Sequence, residues 1–108
     1  MIMVEFKSIK EAMQRGEGKV ALRGWVYRER GSKKLKFIVL RDSTQIIQCV
    51  ISKEDIGDEK FEIADKLQVE ASMKIWGDIK RDDRAPSGYE VQVSDFEVVG
   101  ESDQFPIT

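Results

Sequence analysis

Lys36-Phe37-Ile38-Val39-Leu40-Arg41, then Asp42-Ser43-Thr44-Gln45, then Ile46-Ile47-Gln48-Cys49-Val50-Ile51 is the stretch on which the fold turns. Two apolar runs of strand length flank a four-residue polar turn, the pattern of a β-hairpin. With the turn at 42–45, Val39 faces Gln48, Phe37 faces Val50 and Arg41 faces Ile46 across an antiparallel pair. Side chains alternate between faces, so Ile38, Leu40, Ile47, Cys49 and Ile51 share one face, wholly apolar, and must form the core. Phe37, Val39, Arg41, Ile46, Gln48 and Val50 share the other. An aromatic ring, an amide and a guanidinium are thereby expected on the outside of the sheet.

Working toward the N-terminus, Val20, Leu22 and Val26 share a period of two in a first strand, Val20–Tyr27, with Ala21, Arg23, Trp25 and Tyr27 opposite and a bend or bulge at Gly24. A basic loop, 28–34, follows. Before this strand, Ser8 and Glu11 have capping-box spacing for a short helix ending at Gly16. Toward the C-terminus, Phe61, Ala64 and Leu67 recur at helical spacing, and a fourth strand is expected over 67–75 from the alternation of Leu67, Val69, Ala71, Met73 and Ile75. Polar 78–88 reads as a loop and 89–99 as a fifth strand, with Glu90 and Gln92 facing opposite to Val91 and Val93. The expected class is all-β with short helices: a five-stranded Greek-key barrel with a helix between its third and fourth strands and a short N-terminal helix. That is the OB-fold order, which binds oligonucleotides mainly on its second and third strands. A small SH3-like barrel or an incomplete sandwich would share much of the pattern. Residues 1–18 read as an N-terminal helical extension, 19–101 as the barrel, and 102–108 as the start of a linker.

The chain of 108 residues suits one domain. It has no histidine and one cysteine, which excludes Ser-His-Asp triads, Cys-His dyads, the usual structural zinc sets and an internal disulfide. No apolar run approaches a membrane span and the start lacks a secretory pattern, so a cytoplasmic protein without membrane attachment is expected. Carboxylates such as Asp82 and Asp83 lie among Lys80, Arg81 and Arg84 with no apolar pocket to raise a pKa, a poor basis for hydrolysis. The net charge of −2 conceals a division. Residues 19–41 hold eight bases against Glu29 alone, a net of +7, and the remainder carries −9. A solvated basic loop is one reading of that segment and a phosphate-attracting field the other. Phe37 beside Gln48, flanked by Arg and Lys, matches what an unpaired RNA base needs: a ring to stack on, an amide to read its edge, cations for phosphate. The competing role for Phe37 is a ring covered by the N-terminal helix or a neighbouring domain.

Gly24-Trp25-Val26, Arg28, Arg30, Phe37-Ile38-Val39-Leu40-Arg41-Asp42 and Gln48 together resemble the N-terminal anticodon-binding domain of class IIb aminoacyl-tRNA synthetases, the aspartyl, asparaginyl and lysyl enzymes. Arg84-Ala85-Pro86-Ser87-Gly88-Tyr89-Glu90-Val91-Gln92-Val93 and the closing Phe105-Pro106-Ile107 are most similar to the asparaginyl branch, archaeal type. The resemblance implies that the Phe37 ring stacks on the central anticodon uridine and that Gln48 hydrogen-bonds it. It implies too that Glu90 lies near the third anticodon base and that Arg28 and Arg30 contact loop bases or phosphates. Lys33, Lys34, Lys36 and Arg41 are the further cations expected to meet phosphate or the loop, and Trp25 is read as packing. The resemblance places no catalytic residue, cofactor or metal in these 108 residues. ATP and Mg2+ belong to the full-length enzyme, expected to be a homodimer with tRNA as its partner. An aspartyl or lysyl domain, or a free-standing OB module for single-stranded nucleic acid or protein, are the alternatives.

Overall fold

The Ser8 hydroxyl accepts the Glu11 amide at 3.1 Å while the Glu11 carboxylate accepts the Ser8 amide at 3.2 Å, which starts the helix α1 (Ile9–Arg15) as its spacing predicts. Gly16 ends it at φ 76°, its amide donating to the Ala12 carbonyl at 2.9 Å. The computed structural model describes residues 5–100; the expected linker at 102–108 lies outside them. Before α1 runs a strand the sequence does not announce, β1 (Phe6–Lys7), which pairs in parallel with the next strand.

That next strand, β2 (Gly18–Gly31), is the spine of the molecule. Its first half pairs with β5 (Ser72–Arg81) and its second with β3 (Leu35–Arg41). β3 pairs with β4 (Ile46–Ser52), β4 in parallel with β6 (Tyr89–Gly100), and β6 with β5. Because β5 returns to β2, strands β2 to β6 close a five-stranded barrel, in the expected order. Neighbouring strands pass very close at two points: a Cβ on Gly24 of β2 would stand 2.3 Å from the Arg41 carbonyl oxygen of β3, and one on Gly77 of β5 2.2 Å from that of Gln92 on β6. Between β4 and β5 the expected helix is present as two pieces, α2 (Lys53–Ile56) and α3 (Asp58–Asp65), divided at Gly57. The hairpin register is the one derived above, and Ile38, Leu40, Ile47, Cys49 and Ile51 are all fully buried. Burial pushes the Cys49 thiol well above its ordinary pKa, so it is an inert core residue.

Three boundaries differ from the sequence reading. Arg28–Gly31, expected in a loop, extends β2, so the true turn is only 32–34; each of the four residues has a register partner on β3. The fourth strand begins at Ser72 instead of Leu67, because 66–71 is a turn with Glu70 at φ 79°. There the Glu70 amide donates to the Val26 carbonyl at 2.7 Å and the Val26 amide to the Ala71 carbonyl at 2.8 Å. Leu67 and Ala71 are buried but Val69 is 45% exposed, so the apparent alternation is fortuitous at that point. The same strand runs on to Arg81, through Ile79, which pairs with both Gly18 and Val91.

Candidate nucleic-acid interface

A β-bulge decides the chemistry of the outer face. Val26 opposes Leu40 with its side chain in the core, yet Arg28 opposes Val39, so Tyr27 is the extra residue. Uninterrupted alternation from Val26 would turn Arg28 and Arg30 inward; the bulge reverses the phase and sends both to the outside. Arg30 then stands opposite Phe37, its guanidinium 5.0 Å from the ring centroid. Gln48 faces Val39 on β4. Arg28, Glu29, Arg30, Phe37, Val39 and Gln48, with Pro86 from the loop 82–88, line an open groove of about 350 Å³. α1 docks elsewhere: the Ile9 amide donates to Asp42 Oδ2 at 2.8 Å and the Lys10 amide to Thr44 Oγ1 at 3.2 Å, so the helix sits on the β3–β4 turn. Burial opposes ionisation of Asp42, but bonds from Thr44, Ile9 and Gln45 outweigh it and hold its pKa below the usual carboxylate range.

Glu90 is on the outer phase of β6 as alternation predicts, in register with Gln48, yet it is only 8% exposed. The loop 82–88 covers it, held by the Asp82 amide donating to the Gly88 carbonyl at 3.0 Å and by buried Ala85. Burial raises the Glu90 pKa and a hydrogen bond with the Asp82 carboxyl raises it further, against the pull of Lys80. Asp82 moves the other way, lowered chiefly by the Arg84 amide donating to its Oδ1 at 3.0 Å. Of the two carboxyls, Glu90 is the one pushed toward its protonated form and Asp82 the one held toward its ionised form.

The tRNA anti-codon family, described as an OB-fold nucleic acid binding domain, matches residues 20–99. The chain belongs to this family. Among relatives of this OB-fold domain, the asparagine–tRNA ligase of Thermococcus gammatolerans is 52% identical over 93 residues, covering 85% of this chain and 21% of the relative. That of Thermoplasma acidophilum is 44% identical over 90 residues, covering 83% and 21%. The crystal structure of asparaginyl-tRNA synthetase from Pyrococcus horikoshii complexed with asparaginyl-adenylate superposes with a TM-score of 0.84 at 41% identity, over 98% of this chain and 25% of that one. The chain thus spans about a fifth to a quarter of the relatives it matches.

The remaining cations of the OB-fold domain divide. Lys33 and Lys34 are exposed in the β2–β3 turn, and Arg41 is exposed at the far end of β3. Lys36 corrects the sequence expectation: it shares the inner phase with Ile38 and Leu40, its side chain is 4% exposed, and it pairs with the Glu29 carboxylate and the Asp65 carbonyl. It is not available to phosphate. Two groups escaped the sequence reading. Pro86 reaches the groove from a distant loop, for which no local signal exists. Tyr27 and Trp25, the latter read as packing, stand 5.7 and 5.9 Å from the Arg41 guanidinium on the outer face. Among the described residues no group of three or more His, Cys, Asp and Glu gathers as a metal site, and no helix is long and apolar enough to cross a membrane.

Proposed function

We propose that this OB-fold domain reads the anticodon loop of a tRNA for an asparagine–tRNA ligase, and that the Phe37–Gln48 groove is the reading site. The observation that carries it is the placing of one half-buried ring, one amide and two arginines on a single groove, with neither Arg28 nor Arg30 in an ion pair among the described residues. An unpaired base stacks on Phe37, the Gln48 amide offers a donor and an acceptor to its edge, and the arginines meet the phosphates on either side. Glu90, under its loop, reaches a neighbouring base only with that loop displaced. In this reading the whole enzyme is a cytoplasmic homodimer that attaches asparagine to its tRNA with ATP and Mg2+, through a catalytic domain outside these residues.

The test is binding of the 108-residue chain to an anticodon hairpin with a central uridine. Phe37→Ala should cost about 1–3 kcal/mol of binding, the worth of one base stack. Gln48→Ala should erase the preference for uridine over cytidine at the central position. Parent-like binding by both variants sinks the groove. Equal affinity of the parent for a pyrimidine-rich DNA strand would replace anticodon reading with general single-strand binding.

A further inference from the structure

The alternation of rings and cations does not stop at the groove. Tyr27, the extra residue of the bulge and 40% exposed, has Arg28 at 5.5 Å and Arg41 at 5.7 Å, and Arg41 reaches on to Trp25. One outward position further along β2, Arg23 lies 4.8 Å over the ring of Phe6 on β1. Lys74, the register partner of Arg23 on β5, is 5.9 Å from the same ring, and Phe6 meets Trp76 at 5.7 Å. From Tyr27 to Arg23 is about 13 Å of strand. Arg23, Arg41 and Lys74 form no ion pair among the described residues; Glu97, opposite Lys74 on β6, is not in salt-bridge contact with it.

We propose that this strip on the outer face of β1, β2 and β5 is a second RNA contact surface, continuous with the groove, which carries the tRNA strand away from the base on Phe37 toward Arg23 and Lys74. The inference rests on the nucleic-acid reading of the groove but extends past the bases that groove can hold. Charge and continuity favour RNA over an acidic protein segment. The cations are held in no ion pair among the described residues and lie beside aromatic faces, so a phosphate and a nucleobase can be met together at each step.

The chain has two tryptophans, and Trp76 lies at the far end of the strip, so its indole N–H is a direct probe. On titrating the 15N-labelled chain with an unmodified tRNA transcript bearing an asparagine anticodon, the Trp76 indole resonance should shift. The double variant Arg23→Gln/Lys74→Gln should lower the slope of log Kd against log salt by about 1.4, at about 0.7 per phosphate contact of a single strand. Phe37→Ala should weaken binding and leave that slope as it is. A stationary Trp76 signal or an unchanged slope in the double variant overturns the strip while Phe37→Ala still reports on the groove; if Phe37→Ala binds like the parent, the groove reading itself has failed. A Trp76 shift produced by an oligoglutamate peptide and not by the transcript assigns the strip to a protein partner and overturns the proposal.

Discussion

Burial of Glu90 beside the loop 82–88 and the neighbouring Asp82 carboxyl both favour its protonated form. Its folded pKa lies above the ordinary carboxylate value, so its contribution to stability is complete below that ordinary value and disappears as pH rises through the folded one. Glu90→Gln preserves the shape and still offers Asp82 a donor. The variant should melt higher than the parent at pH 7, with the difference closing toward pH 4, as followed by thermal unfolding across that range. Parallel curves would show that Glu90 ionises freely in the fold. The same residue shows what sequence can and cannot reveal: alternation put it on the correct face, but burial came from a loop whose course alternation says nothing about. Lys36 is the reverse case. Its inward phase was implicit in the Ile38 and Leu40 periodicity, and only the habit of assigning lysine to the surface hid it.

At the level of elements, the strands with one apolar face were legible from periodicity alone, and the β3–β4 register followed from a turn of known length. The bulge at Tyr27 was not, since inserting one residue changes the phase of all that follows without changing composition. Hence the groove's ring and amide were placed correctly from the hairpin, whereas its arginines were referred to a loop. Gly24 carries the complementary constraint, where β2 leaves β5 for β3. Gly24→Ala would drive a methyl group to 2.3 Å from the Arg41 carbonyl. Such overpacking costs about 1–3 kcal/mol, a fall in melting temperature on the order of 10 °C for a domain of this size. A melting temperature equal to the parent's would show that the two strands can separate there without penalty.

For the molecule as a whole, the barrel closes unevenly. β5 and β6 are paired along nearly their full length, with two register shifts, but β4 and β6 pair at Gln48, Cys49 and Val50 alone among the described residues. Short pairing makes that seam the place where the barrel opens most readily. In native-state hydrogen exchange, the amides of the β4–β6 pairing should exchange faster than those at the centre of β5–β6. Because Gln48 belongs to both seam and groove, an anticodon hairpin should slow them; exchange unaffected by the hairpin would separate the groove from the seam. The charge division follows the same architecture, with β2 and β3 carrying most of the positive segment. Glu29 is its single acid, and it looks like the obvious residue to replace for anyone engineering tighter RNA binding. It is the worst choice. Its carboxylate is the counterion of the buried Lys36, and removing it would strand an ammonium group in the barrel wall. Affinity has to be gained at an exposed position such as Ser43, whose side chain pairs with no buried charge.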